Sequence, residues 1–273
     1  MALESNLNLL AAHPYFQLRL RHAHRGTYTS QGTGQLTADD WLFLVFAGGS
    51  AEDMFRDPVT GEVFPMRPGC FYFVPCNHRI EWTLTPAVQF VSLHFDLELF
   101  YGFDVFRDHH RCHMVENPEL VEAAWRLVGR RDGGVDVICE LNGIVFGLCA
   151  SWLAVETAGA RERLANGQRY GKALEFIRDN GDASTTVENL ADLYGMRADV
   201  FSRKFSRDIG MPPKEFLSNA LLRKATEMLM APGASVLQVA ERLRFSSGHY
   251  LSYFIKRRTG MHPTQYRLAN GWN

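Results

Sequence analysis

The sequence predicts a multidomain protein with a mainly-β N-terminal part and an all-α C-terminal part. Between residues 16 and 100, short apolar runs of strand length alternate with turn signals, a pattern typical of a sandwich or small barrel. Between residues 185 and 267, one helix-turn-helix unit occurs twice. Charge follows the same division, because residues 167–273 hold 16 Lys and Arg against 10 Asp and Glu, whereas residues 1–166 hold 13 against 20. A length of 273 residues suffices for two packed cores.

Five apolar runs are predicted to be strands of the N-terminal part: 16–20, 41–46, 70–74, 80–84 and 88–95. Gly and Pro turn signals separate these runs, at 32–34, 48–49, 57–58, 68–69 and 85–86. The spacing is that of an antiparallel structure with many short connections.

Helices are predicted between the two parts. Asn117 and Pro118 begin a helix over 119–130, and a longer helix follows over 136–163. The longer helix carries apolar residues spaced by three and four positions: Ile138, Leu141, Val145, Leu148, Trp152 and Val155. Such a seam packs either on its own barrel or in a dimer. A membrane span is not expected, because the uninterrupted apolar remainder, 143–155, is too short. Residues 158–168 are predicted to be a linker, and 170–180 a helix.

Each C-terminal unit opens with a predicted capping box, at 185–188 in the first and 235–238 in the second. Tight breaks follow at 195–196 and 244–245. Each second helix is then predicted to end at a glycine, with proline beyond, at Gly210 and Gly260.

The two units lie 49 to 50 residues apart, joined by an apolar helical run over 216–230 and closed by Gly-Met-His-Pro-Thr-Gln-Tyr-Arg at 260–267. In these features residues 168–267 resemble the DNA-binding domain of the AraC/XylS family of bacterial transcription regulators. The resemblance implies that the N-terminal part is a cupin-like jelly-roll sensor. The successions 67–69, 74–75, 78 and 93–95 fall where that family has similar residues.

The second helix of each unit is predicted to enter the DNA major groove and read bases near its N-terminus. The predicted base-reading residues are Asp199, Val200, Ser202, Arg203, Gly248, His249, Ser252 and Tyr253. Arg203 is the strongest of these candidates, because a guanidinium binds guanine bidentately. The predicted phosphate contacts are Lys204, Arg207, Lys256, Arg257 and Arg258. Each basic residue alone is equally compatible with a solvated helix face.

Several positions depart from the family pattern. Tyr253 stands where Arg is common, Arg244 where Gly is usual, and Leu221 where the linking helix often has Arg. Arg197 occupies a position that commonly carries a capping Ser, while Ser246 is expected to cap the second reading helix. These departures leave the fold intact and affect the base contacts of the second unit.

The sensor is expected to bind a small molecule, and the resemblance implies a sugar or another metabolite. Imidazole and indole side chains can hydrogen-bond to such a ligand and stack on it. The predicted ligand-binding residues are His22, His24, Trp41, His78, Trp82 and His94. Ordinary core packing is the alternative for each residue alone.

No metal or cofactor is predicted. His22 and His24 form a His-x-His pair of the kind found in metal-dependent cupins, but Tyr28 and Thr29 stand where a carboxylate is needed. Three imidazoles without an acid could still hold a metal, and that alternative stays open.

The sequence therefore predicts a sensor domain over 1–110, linker and dimerisation helices over 111–167, and a DNA-binding domain over 168–273. The expected function is a non-enzymatic transcription regulator, on family grounds an activator. Its expected partners are promoter DNA, RNA polymerase, a small-molecule effector and a second copy of the chain. A cytoplasmic location fits the lack of an export signal and five cysteines without paired motifs. The alternatives are a cupin-type metalloenzyme with a helical targeting domain and a ligand-independent dimeric DNA-binding protein.

Overall fold

The computed structural model describes residues 16–29, 32–36, 40–76, 78–156 and 158–270. Contacts divide the chain into two units. The β-unit comprises Leu18–Leu97 and Phe106–Val155. The helical unit comprises Glu98–Val105, Glu156–Asn273 and the segment Met1–Gln17, of which residues 16 and 17 are described.

Ten strands lie within the described residues: β1 (Gln17–Thr27), β2 (Gly32–Leu36), β3 (Asp40–Ala47), β4 (Met54–Arg56), β5 (Val63–Pro65), β6 (Cys70–Val74), β7 (Ile80–Leu84), β8 (Gln89–Phe100), β9 (Phe103–Asp104) and β10 (His113–Glu116). The predicted strands at β6 and β7 are confirmed to the residue, and those at β1, β3 and β8 are longer than predicted. The separator expected at 32–34 is wrong, because those residues belong to β2 and pair with β7, Gly34 lying opposite Trp82.

The strands form two antiparallel sheets rather than one closed barrel. One sheet has the order β1-β8-β3-β6-β10, with β9 paired to the end of β8, and the other has the order β2-β7-β4-β5. Side chains from both sheets form one buried core that includes Trp41, Phe43, Phe55, Tyr72 and Ile80. The N-terminal part is therefore mostly β, as predicted, but its closure into a barrel is not observed.

Two helices cover the other face of the larger sheet. Helix α1 (Pro118–Val128) stacks Trp125 on Phe46 with ring centroids 4.5 Å apart. Helix α2 (Val135–Glu156) stacks Trp152 on Phe73 at 4.3 Å. The central strand β3 is consequently buried on both faces, which explains its continuous apolar sequence.

The predicted seam of α2 packs mainly within the β-unit. Leu141, Val145, Leu148 and Trp152 are buried, whereas Ile138 is 56% exposed. Helix α2 ends at Glu156, earlier than predicted, and the expected linker forms helix α3 (Ala158–Gly167). By length and composition, Val135–Leu153 would suffice to cross a membrane, and a third of it is buried. A core helix meets the same criterion, so this finding is weak evidence for a membrane span.

After a short 3₁₀ turn (Gln168–Tyr170), the helical unit continues with α4 (Gly171–Asn180), α5 (Val187–Asp192), α6 (Ala198–Ile209), α7 (Pro213–Met230), α8 (Val236–Arg242), α9 (Gly248–Thr259) and α10 (Pro263–Asn270). Helix α7 contributes to two buried clusters. Phe216 and Ala220 belong to the core of the first helix-turn-helix unit, and Ala225 and Leu229 to that of the second. One continuous helix therefore fixes the two helix-turn-helix units relative to each other.

The short hairpin formed by the end of β8 and by β9 belongs to the helical unit. Leu99, Phe100 and Phe103 lie in the first core. Gly102, at φ +81°, approaches helix α7 so closely that an added Cβ would lie 2.7 Å from the backbone nitrogen of Ala220. A glycine is needed there both for its left-handed backbone and for the close approach.

Candidate DNA-binding surface and ligand cluster

The first helix-turn-helix unit begins at a capping box, one residue later than predicted. Thr186, not Thr185, is the N-cap of α5, and Asn189, not Glu188, is its partner. The Thr186 hydroxyl accepts from the Asn189 amide nitrogen at 3.3 Å, and the Asn189 side chain accepts from the Thr186 nitrogen at 2.9 Å. Gly195 then turns the chain at φ +59° into α6.

Helix α6 has one buried face and one exposed face. Phe201 and Phe205, four residues apart, are fully buried. Asp199 and Arg203 are exposed, and Val200 and Ser202 are partly exposed beside them. All four predicted base-reading residues of this unit therefore lie on or beside the solvent face of the N-terminal half of α6.

The charged groups on this face interact weakly. The Arg203 guanidinium lies 4.0 Å from the Asp199 carboxylate, and the Arg197 guanidinium lies 3.1 Å from it. The Arg203 side chain is 78% exposed, so water screens its ion pair and the guanidinium can exchange partners at little cost. Arg197 provides no side-chain cap for α6, as its residue type predicted.

The second unit repeats this construction. The capping box of Ser235 and Gln238 is confirmed, with hydrogen bonds of 3.1 and 3.0 Å. Arg244 adopts φ +54° at the turn, the left-handed conformation that explains why glycine suits this position. Helix α9 is capped by Ser247, whose hydroxyl accepts from the Tyr250 nitrogen at 3.1 Å; the assignment of the cap to Ser246 was wrong by one residue.

Helix α9 presents a more aromatic surface. Leu251 and Ile255 are buried, which leaves Tyr253 on the exposed face. Tyr250, which is not among the predicted base-reading residues, is also exposed. The ring centroids of Tyr250 and Tyr253 lie 6.5 Å apart. Of the other candidates, Gly248 and His249 lie in the first turn, and the Ser252 hydroxyl donates to the carbonyl of Gly248 at 2.9 Å.

The five predicted phosphate contacts, Lys204, Arg207, Lys256, Arg257 and Arg258, are all exposed residues in the last two turns of α6 and α9. Arg207 donates to Asp208 at 2.8 Å. Arg258 donates to the side-chain oxygen of Asn219. These two arginines therefore also stabilise the helical unit itself.

A buried ion pair lies at the hairpin of the helical unit. Arg223 of α7 and Glu98 at the end of β8 form a salt bridge, and each side chain is 6% exposed. The Arg223 Nε also donates to Glu227 at 2.6 Å, and Tyr101 donates to the second oxygen of Glu227 at 3.1 Å. Local sequence patterns do not indicate this group, because Glu98 and Tyr101 lie more than a hundred residues before Arg223 and Glu227.

Five of the six predicted ligand-binding residues form one cluster in the β-unit. His22 lies 4.6 Å from His24 and 6.0 Å from His94, ring centroid to centroid. Trp41 stacks on His94 at 5.9 Å and contacts Trp82 at 5.6 Å. The sixth residue, His78, lies outside this cluster and forms a hydrogen bond with Asp57.

Hydrogen bonds orient this cluster, and burial keeps its imidazoles neutral. The Trp41 indole donates to the Ser92 hydroxyl at 2.7 Å, and that hydroxyl lies 3.3 Å from Nε2 of His94. Burial, reinforced by the neighbouring His22, His24 and Arg21, lowers the pKa of His94 to about 3. Burial and His22 lower the pKa of His24 to about 4. The cluster therefore offers neutral hydrogen-bonding rings beside indole faces.

His78 lies in a separate buried group with Asp57 and Cys112. The Nε2 of His78 is 2.9 Å from Oδ2 of Asp57. Hydrogen bonds from His78, Val59 and Thr60 outweigh burial and lower the pKa of Asp57. Burial, with the charges of Asp57 and Glu62, raises the pKa of the Cys112 thiol to about 12.

Comparisons with known proteins agree with the helix-turn-helix arrangement of the helical unit. A family model described as a helix-turn-helix domain matches residues 190–269. MtrA of Neisseria gonorrhoeae, an HTH-type transcriptional regulator, is 25% identical over 104 residues, 38% of this chain and 35% of MtrA. The transcriptional activator RhaS of Escherichia coli is 24% identical over 116 residues, 42% of each chain. The chain thus spans only about a third to two fifths of the length of these relatives.

Solved structures extend the comparison to the β-unit. ToxT from Vibrio cholerae matches with a TM-score of 0.53 at 11% identity, covering 94% of this chain and 98% of ToxT. Wild-type ToxT bound to an unsaturated fatty acid matches with a TM-score of 0.51 at 8% identity, covering 93% of this chain and 95% of ToxT. At such identities the likeness shows a shared fold, a mostly-β N-terminal region with a helical C-terminal region. Residues 190–269 therefore form a helix-turn-helix domain that is similar to the corresponding regions of transcription regulators such as MtrA and RhaS.

Proposed function

We propose that this protein is a sequence-specific DNA-binding transcription activator, and that its β-unit responds to a small molecule. One observation supports the DNA-binding part most directly. In each helix-turn-helix unit, the second helix buries its apolar face and leaves polar side chains exposed at its N-terminal half, as groove insertion requires. Helix α7 joins the two units, so one chain can reach major-groove faces about 34 Å apart, one turn of DNA.

Base reading is assigned to the candidates on α6 and α9. Arg203 is the main specificity contact, because its guanidinium is exposed and held only by a loose ion pair. A bidentate contact with guanine is worth about 1–3 kcal/mol of discrimination. On α9, His249 and Tyr253 offer hydrogen-bonding groups, and Tyr250 extends this set.

Arg203→Ala, with Lys204→Ala as a matched control, tests this assignment. Arg203→Ala should weaken binding to the specific site by about 10-fold or more and leave binding to random DNA nearly unchanged. Lys204→Ala should weaken binding to both DNAs alike, because a phosphate contact carries no sequence information. Equal losses on both DNAs for Arg203→Ala, measured by fluorescence anisotropy at fixed salt, would refute the base-reading role.

Effector binding is assigned to the imidazole and indole cluster of the β-unit. Its two neighbouring indoles suit a sugar-like or aromatic ligand, which can stack while the neutral imidazoles hydrogen-bond to it. The fatty acid named for ToxT adds that ligand class to the candidates. Trp82→Ala should abolish a ligand-induced rise in Tm found by screening metabolites. Trp125→Ala should preserve it, because Trp125 lies on helix α1 and stacks on Phe46, outside the cluster.

Homodimerisation is assigned to the exposed face of α2. The predicted seam is largely buried within the β-unit, so a partner must use the opposite face, where Cys139, Gly143, Phe146 and Ala150 are exposed. Open space surrounds Gly143, which allows a second helix to approach closely. Phe146→Glu should shift the protein from dimer to monomer in sedimentation velocity, and a monomeric wild type would refute the dimer.

The remaining assignments follow from the resemblance to AraC/XylS regulators. The sensor, linker and DNA-binding functions are assigned to residues 1–110, 111–167 and 168–273, and the two face-to-face sheets are assigned a cupin-like jelly-roll origin. Effector binding would change which DNA half-sites a dimer occupies together, and thereby the recruitment of RNA polymerase at a promoter. The protein would act in the cytoplasm and without enzymatic activity.

A further inference from the structure

We propose that Asp57, His78 and Cys112 form a Zn²⁺-binding site in the β-unit. The site is separate from the DNA-binding helices and from the imidazole and indole cluster. It does not depend on the function proposed above.

The three residues come from three different connections. Asp57 follows β4, His78 lies between β6 and β7, and Cys112 immediately precedes β10. Each offers one ligand atom, and these three atoms all lie within 4.8 Å of one another. Tetrahedral zinc at about 2.0–2.3 Å from its ligands requires ligand separations of about 3.3–3.8 Å. Shifts of at most about 1 Å therefore suffice to complete the geometry.

The Asp57 carboxylate is already oriented for a ligand. Its Oδ1 accepts from the backbone nitrogens of Val59 and Thr60 at 2.8 and 3.2 Å. The turn is closed by two backbone hydrogen bonds between Asp57 and the residues Gly61 and Glu62, at 2.8 and 2.9 Å. Oδ2 is thereby directed towards His78. Such outer hydrogen bonds hold metal ligands in place.

The burial of all three side chains supports the site independently of the distances between them. Asp57, His78 and Cys112 are 1%, 6% and 8% exposed. Among the residues that the structure describes, none forms a hydrogen bond with the Cys112 thiol. Asp57 and His78 are already hydrogen-bonded to each other at 2.9 Å, so the Cys112 sulfur is the one ligand atom of the three without a hydrogen bond among the described residues. The thiol is thus available as a third ligand.

The mixture of donor atoms indicates which ion binds. One oxygen, one nitrogen and one sulfur suit Zn²⁺, whereas Mg²⁺ and Ca²⁺ prefer oxygen ligands alone. Binding converts the Cys112 thiol to a Zn²⁺-bound thiolate and releases one proton to solvent. Three protein ligands leave the fourth tetrahedral position for water. The ion would connect three loops of the β-unit.

Co²⁺ is the probe for this site, because a cobalt-bound thiolate gives a charge-transfer absorption that a histidine-only site lacks. The full chain carrying Cys139→Ser, which removes the exposed thiol, is freed of metal with a chelator and titrated with Co²⁺ and then Zn²⁺. We expect one Co²⁺ per chain, the thiolate band, loss of that band on adding Zn²⁺, and a higher Tm with Zn²⁺.

Two ligand variants and one control variant test the ligand assignment. Cys112→Ala should abolish the band, whereas Cys149→Ala, which removes another buried thiol, should retain it. Asp57→Asn keeps the oxygen that accepts the two backbone hydrogen bonds but removes the charge, and it should weaken Zn²⁺ binding by about 100-fold or more. Absence of a thiolate band in the Cys139→Ser protein would overturn the proposal, as would a band that persists in Cys112→Ala.

Discussion

The buried ion pair between Arg223 and Glu98 predicts a large, non-additive loss of stability. Removal of Arg223 takes the positive partner away from the Glu98 carboxylate, in a site where both side chains are 6% exposed. Such a change costs about 3–5 kcal/mol. This is a large fraction of the about 5–15 kcal/mol that stabilises a typical protein. Arg223→Met should produce a loss of this size, whereas Glu98→Leu should produce a smaller loss, because Arg223 keeps its salt bridge to Glu227.

The double variant should be far less damaged than the sum of the two single variants. When both charges are replaced by apolar groups, neither is left buried without a partner, and such replacements are often neutral or stabilising. Glu227 keeps its hydrogen bond from Tyr101 and is partly exposed, so it tolerates the loss of Arg223. The coupling energy of this cycle should therefore exceed about 2 kcal/mol.

Urea unfolding followed by far-UV circular dichroism measures these losses in the full chain. With a slope of about 1–3 kcal/mol per molar urea, Arg223→Met should lower the midpoint by at least about 1 M. Arg242→Met, at an exposed arginine of α8, should change it by much less. A loss below about 1 kcal/mol for Arg223→Met would equal that of a surface ion pair and refute the reasoning.

Three further predictions concern backbone strain, close packing and pH. Arg244→Gly should stabilise the protein by about 0.5–1 kcal/mol in thermal unfolding. The left-handed conformation of Arg244 costs about 1–2 kcal/mol, and the greater conformational entropy of glycine in the unfolded chain offsets part of the gain from removing that cost. A destabilised variant would contradict this prediction. Gly102→Ala should lower Tm by several degrees, since the added methyl group would overlap the backbone of α7, and an unchanged Tm would show that the approach is looser. For His94, burial lowers the pKa from 6.5 to about 3, so between these pH values the unfolded state binds more protons and stability falls as pH falls. The loss from this group should reach about 2 kcal/mol at pH 5 relative to pH 7.5 and should disappear in His94→Gln; identical pH slopes for both proteins would contradict it.

Local sequence signals predicted the helix-turn-helix units well. The second capping box, the left-handed turn at Gly195 and the glycine ends of α6 and α9 follow from nearby residues alone. The first box differed by one residue, because both Thr185 and Thr186 could act as the cap. Tyr250 was missed, although the buried positions of Leu251 and Ile255 indicate that it faces solvent.

Features that depend on distant pairing were not predictable in this way. Strand β2 is glycine-rich and becomes a strand by pairing with β7. The segment Glu98–Val105 directly follows the predicted strand 88–95 and falls within the predicted sensor domain, yet it packs in the helical unit, partly against α7, whose residues follow more than a hundred positions later. The approach of Asp57, His78 and Cys112 likewise depends on three separate connections.

Sequence-specific DNA recognition by two linked reading helices is most directly tested by selection from fragmented genomic DNA. The purified full chain is mixed with the fragments, and the retained DNA is sequenced. We predict a motif with two boxes whose centres lie about 10 base pairs apart, one helical turn. Arg203→Ala should relax the sequence preference in only one box. Retention without any shared motif would contradict the account, because it would mean that the basic helical unit binds phosphates alone.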